Sequence, residues 1–170
     1  FAELRVASGS IRLYGEDLTQ ASADRLRHLR ATRMAMVFQE PMSALNPVMT
    51  IGHQIEEILS AHTDAGRKER RRRVIDMLEQ VELADAERIA SAYPHQLSGG
   101  QRQRAMIAMA LLLQPKLLIA DEPTSALDVR TQKQILELMR GLRERHGIAT
   151  LFITHDMGVV AEIADRVAVM

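Results

Sequence analysis

The chain contains no cysteine in 170 residues. That excludes a disulfide framework and a thiolate metal site, and it agrees with a reducing compartment. Charge of one sign is not in excess, since Lys+Arg and Asp+Glu both number 22. Net charge therefore gives no reason to expect a nucleic-acid or strongly acidic partner. Long apolar runs are missing too. The longest apolar region, Ala105 to Ala120, is interrupted by Gln114-Pro115-Lys116 and is too short to cross a bilayer. Phe1 opens on mixed polar sequence without a leader pattern, so any membrane role is expected to go through a partner.

What the chain does have is 46% apolar residues, enough to core one domain with a subdomain. Ile11 and Leu13 alternate with Arg12 and Tyr14 between glycine turns, which reads as a short strand. Ala23 to Arg33 reads as a modest amphipathic helix or an irregular surface segment. Met34 to Phe38 is a continuous apolar run suited to a buried parallel strand, and Pro41 reads as the exit into a loop. From Ile51 to about Tyr93 the periodicity is helical. Ile51, Ile55, Ile58 and Leu59 share one face, and Val74, Leu78 and Val81 share another. Arg70 to Arg73 forms a basic run, but Glu69, Asp76 and Glu79 dilute it, and a solvated helix face is the better reading. A third helix over Asp85–Ala92 ends at Pro94. Strands at Leu117–Ala120 and Thr150–Thr154 flank a helix from Val129 to Arg145, which Gly147 caps. A last helix runs to Ile163, and Arg166–Met170 reads as a final strand cut before any turn. Phe1 in place of Met and this open end make both termini read as truncations.

Alternating strands and helices argue for an α/β fold with a mainly parallel sheet and an inserted α-helical subdomain over about 51–94. Leu97-Ser98-Gly99-Gly100-Gln101 opens a helix, so that unpaired N–H groups and a positive dipole end suit a phosphate. Asp121 and Glu122 end an apolar strand, at the sheet edge where open α/β sheets bind ligands. Adjacent strand residues point to opposite faces, so the two carboxylates are expected to do different jobs. Ser125-Ala126-Leu127-Asp128 follows directly, and His155 stands just beyond another strand.

These motifs, in this order, resemble the ATPase domain of ABC transporters along nearly the whole chain, from Ser8 to Met170. The resemblance implies a P-loop NTPase-like core. Residues 1–50 are then a partial nucleotide-binding core with the Q-loop, 51–94 the helical subdomain, and 95–170 the part carrying signature motif, Walker B strand, D-loop and switch histidine. It implies ATP with Mg²⁺, Asp121 and Gln39 toward the metal, Glu122 as catalytic base, and Gln39 and His155 as reporters of the γ-phosphate. Ser98, Gly99, Gly100 and Gln101 would cap the nucleotide held by a second ATPase subunit, identical or related, and Asp128 would lie at that interface. Other implied partners are two transmembrane permeases and, indirectly, an extracytoplasmic solute-binding protein, with no nucleic acid. The location implied is peripheral, on the cytoplasmic face of the membrane.

Val37-Phe38-Gln39-Glu40-Pro41-Met42-Ser43-Ala44-Leu45-Asn46-Pro47 and Pro115 to Val129 resemble the importers of oligopeptides, dipeptides and nickel. A soluble ABC ATPase of translation or DNA maintenance is the alternative. A catalytically dead regulatory domain is disfavoured by Glu122 and His155 both being present. One departure stands out. Lys68, Lys116 and Lys133 follow Arg67, Pro115 and Gln132, so no Gly-Lys of a P-loop occurs. The resemblance places that loop upstream of Phe1, and the 170 residues alone are expected to bind ATP weakly and not to hydrolyse it.

Overall fold

In the computed structural model, which describes Val6 and residues 8–170, the chain opens with a tight hairpin. The remainder of the 1–50 segment, residues 1–5 and 7, lies outside the described residues. Strands β1 (Arg12–Leu13) and β2 (Glu16–Asp17) pair antiparallel through Tyr14-Gly15. Both loop residues have positive φ, 51° and 83°, the twist that two-residue hairpin loops demand. The expected strand over 11–14 is thus shorter, and Glu16–Asp17, read as a turn, is its partner strand.

Ser22 caps α1 (Ala23–Thr32) by accepting from the Arg25 N–H at 3.2 Å. Strand β3 (Met34–Val37) follows. Pro41 does not lead into a loop. It occupies the first turn of a short helix, α2 (Pro41–Ala44), where its fixed φ suits a helix and its missing N–H costs nothing. Three helices come next: α3 (Ile51–His62), α4 (Arg67–Gln80) and α5 (Ala86–Ser91), each packed on the other two. Ile51, Ile55 and Leu59 are fully buried, as are Leu78 and Ile89. Burial of such a side chain contributes about 1.5–3 kcal/mol. The basic run is answered within the chain. Arg70 pairs with Glu56, Arg71 with Glu87 and Arg72 with Glu69.

After a 3-10 turn at Pro94–Gln96 comes α6 (Gly99–Leu111), which packs on β3, α2 and α7. Then β4 (Leu117–Asp121), α7 (Val129–His146), β5 (Ala149–Ile153) and α8 (Met157–Ile163) complete the order. Gly147 ends α7 in the left-handed region at φ 61°, as its position suggested. Arg166–Met170 forms no strand; the run has alternation but pairs with no neighbour among the described residues.

The sheet is β3-β4-β5, parallel throughout, with Val37 opposite Ala120 and Asp121 opposite Ile153. Its three carboxyl ends therefore finish at one edge. One face is packed: Leu118 and Ala120 are buried, and Leu118 lines one small cavity with Ile107 and Leu111 of α6 and Met139 and Leu142 of α7. The opposite face is open in the described chain, with Leu151 53% and Ile153 42% exposed. Parallel strands are ordinarily covered on both faces.

Candidate active site

The common edge of the sheet brings three side chains together from far apart in sequence. Gln39 lies two residues past β3, Glu122 one past β4, and His155 two past β5. The Gln39 Nε2–H donates to Glu122 Oε2 at 3.2 Å, and His155 Nδ1 bonds Glu122 Oε1 at 2.6 Å. Glu122 is thus held at both carboxylate oxygens. Its backbone N–H donates to the Ile153 carbonyl at 2.9 Å, tying it to the end of β5. The expectation that Asp121 and Glu122 simply alternate along a strand needs correction. Asp121 is the last strand residue, whereas Glu122 has φ 42°, in the left-handed region. A non-glycine residue there is uncommon and strained, and such strain collects at functional positions. The kink, rather than pleat alternation, sets the direction of the Glu122 side chain.

Glu122 holds the His155 pKa above its ordinary 6.5, through the hydrogen bond first and the charge attraction second. The Nδ1–H then donates to the carboxylate, leaving Nε2 outward.

Asp121 is half-buried, and no hydrogen bond or ion pair holds its carboxylate among the described residues. Among those residues no group of three or more His, Cys, Asp or Glu side chains is able to hold a metal ion by itself. The Asp121 carboxylate is an oxygen donor of the kind Mg²⁺ takes, one or two from protein with the rest from water and phosphate.

The signature turn is built differently from its expected use. Ser98 Oγ accepts from the Gln101 N–H at 3.2 Å, and Gln101 Oε1 accepts from the Ser98 N–H at 2.9 Å. This is a capping box, so both polar side chains are engaged within their own helix. What α6 presents outward is the N–H groups of Gly99 and Gly100, which find no partner among the described residues.

Asp128 does not join the Glu122 cluster. It caps α7, its Oδ1 accepting from the Thr131 N–H at 3.0 Å and its Oδ2 from the Thr131 hydroxyl at 2.7 Å. Those two bonds hold the Asp128 pKa below its ordinary value. Asp156 is tied in the same manner at the start of α8, accepting from Gly158 and Val159 N–H groups, with Gln132 donating at 3.4 Å. Thr131, Gln132 and Asp156 escaped the reading from sequence. The signal for Thr131 was there, in the three-residue spacing from a cap aspartate.

Three parallel strands ending on a glutamate braced by glutamine and histidine, with a separate helix opened by two glycines, are the features of a nucleotide-binding type of α/β domain. The chain belongs to the ABC transporter family, whose model matches residues 1–125. The oligopeptide transport ATP-binding protein AppD of Bacillus subtilis is 52% identical over 166 residues, covering 98% of this chain and 51% of AppD. The glutathione import ATP-binding protein GsiA of Shigella dysenteriae is 56% identical over 154 residues, covering 91% of this chain and 25% of GsiA. The chain therefore spans about half the length of AppD and a quarter of GsiA. Among solved structures, the MJ0796 ATP-binding cassette dimer bound to ADP and Pi superposes with a TM-score of 0.80 at 32% identity, covering 93% of this chain and 67% of that one.

Proposed function

We propose that this chain is the larger part of the catalytic region of an ATP-hydrolysing subunit that powers an ABC importer for peptides or nickel. The observation that carries the reading is the Glu122 carboxylate braced between Gln39 and His155, in a chain more than half identical to peptide-import ATP-binding proteins. No helix of the described residues is long and apolar enough to cross a membrane. In this reading two partner permeases carry the solute, as the import role of the relatives suggests. A solute-binding protein outside the membrane acts through them. The subunit then sits peripherally on the cytoplasmic face. Residues 51–94 act as a helical subdomain on the nucleotide-binding core.

In this reading Glu122 accepts the proton of the water that attacks the γ-phosphorus, the P–O bond to the β-phosphate breaks, and ADP leaves with its electron pair. Gln39 and His155 hold the carboxylate on the reacting side, and the outward Nε2 of His155 bonds a γ-phosphate oxygen. Asp121 and the Gln39 amide oxygen are the atoms that hold Mg²⁺, which supplies positive charge to the phosphate oxygens when bound. The Gly99 and Gly100 N–H groups, with the Ser98 and Gln101 box that shapes them, cap the nucleotide of a second ATPase subunit, and Asp128 lies at that junction.

The test is Glu122→Gln in the full-length protein. General-base removal costs on the order of 10²–10⁴-fold. ATP turnover is expected to drop at least a hundredfold while ATP affinity stays within about threefold. Undiminished turnover would end the assignment.

A further inference from the structure

The two glycines of the signature turn face different neighbours within their own chain. A Cβ built on Gly99 meets only Leu127 Cδ2, at 3.4 Å, an ordinary contact. A Cβ built on Gly100 comes within 2.8 Å of the Thr131 methyl, closer than real side chains approach. That methyl has little freedom to retreat. Thr131 is β-branched on the first turn of α7, and its hydroxyl is held by Asp128 Oδ2 at 2.7 Å. Rotating the methyl away from Gly100 turns the hydroxyl off Asp128.

We propose that Thr131 is a positioning residue that seats the signature turn against the D-loop aspartate within one subunit. Gly100 is then glycine because of Thr131, whereas a side chain at Gly99 fits within the subunit, in ordinary contact with Leu127. One side chain fixes two motifs at once. Its methyl sets how closely α6 approaches α7, and its hydroxyl and N–H orient Asp128. A displacement of the glycine turn is passed to Asp128 through a rigid three-atom link rather than through a flexible loop. The inference rests on the ATPase reading above for its functional part, and on packing alone for its steric part.

The experiment is a rescue in the full-length protein, reading ATP turnover and thermal unfolding together. Gly100→Ala is expected to lower kcat at least tenfold and to lower the melting temperature. Thr131→Ser removes only the methyl and keeps the hydroxyl bond. In the Gly100→Ala/Thr131→Ser double variant the melting temperature is expected to return to within about a degree of the Thr131→Ser value, and turnover to rise at least fivefold above that of Gly100→Ala. Gly99→Ala is expected to lose turnover with an unchanged melting temperature, and Thr131→Ser does not restore it. If Gly100→Ala does not fold, recovery of folding in the double variant supports the proposal equally. A double variant as damaged as Gly100→Ala overturns it. Should turnover prove independent of Glu122, the ATPase reading falls, and the melting-temperature rescue still decides the packing claim.

Discussion

At the scale of single residues, the His155–Glu122 contact is the feature with the sharpest consequence. His155 is largely exposed, so its value lies in orientation and protonation rather than in stability. Its folded-state pKa is raised by the Glu122 hydrogen bond and charge. The favoured form is imidazolium, so the stabilisation of the pair is fully present below about 6.5, the ordinary histidine value, and is lost as pH climbs through the raised value. An NMR titration of His155 in nucleotide-free, metal-free protein is expected to give a midpoint above 6.5. Glu122→Gln is expected to return it toward the ordinary value. A wild-type midpoint at or below 6.5 would mean that the pair does not form in solution. The placement of these residues at strand ends was legible beforehand, because Asp121-Glu122 ends an apolar run and His155 follows another. The strained φ of Glu122 was not, since a kink at a strand end leaves no mark in residue type.

At the scale of elements, the long buried strands and helices were readable from period and turn chemistry, and the failures are all short. A two-residue strand such as Glu16–Asp17 carries no alternation to detect; its pairing depends on the backbone twist at Tyr14 and Gly15. The helix at Pro41–Ala44 was hidden because proline before a polar stretch reads equally well as a loop. Arg166–Met170 had strand composition without a partner, and a strand exists only in pairs. Helix packing also hides in glycines. Gly52 on α3 lies so near α5 that a Cβ there comes within 2.8 Å of the Ala90 carbonyl oxygen and 3.0 Å of its Cβ. Backbone does not yield as a side chain does, and overpacking of this kind costs about 1–3 kcal/mol. Gly52→Ala is therefore expected to lower the melting temperature by roughly 2–4 °C per kcal/mol lost. Ala90→Gly relieves the Cβ contact but not the carbonyl contact, so it is expected to restore only part of the loss. A melting temperature unchanged in Gly52→Ala would show that α3 and α5 sit further apart than described.

At the scale of the molecule, the placement of donors and charges argues for a site completed from elsewhere. The Glu122 cluster offers a carboxylate, an amide and an imidazole, with Asp121 next to it in sequence, but no lysine or arginine among its bonded members. The chain has no Gly-Lys pair to cradle phosphates. The helix start at Gly99–Gly100 has the polar side chains of Ser98 and Gln101 engaged in capping it, which leaves N–H groups without partners among the described residues, suited to a phosphate presented from outside. Asp128 and Thr131 pack beside that turn rather than beside Glu122. On the proposed reading, a second subunit apposed head to tail brings its glycine turn onto the Glu122 cluster. In full-length protein made hydrolysis-deficient by Glu122→Gln, Mg²⁺-ATP is expected to shift the species seen by light scattering from monomer to dimer, and ADP to leave it monomeric. Gly99→Ala in the same background is expected to weaken that dimer at least tenfold, because it crowds the turn against Leu127 at the N–H groups proposed to meet the γ-phosphate. Dimerisation equally strong with ADP, or indifferent to Gly99→Ala, would separate the glycine turn from nucleotide altogether.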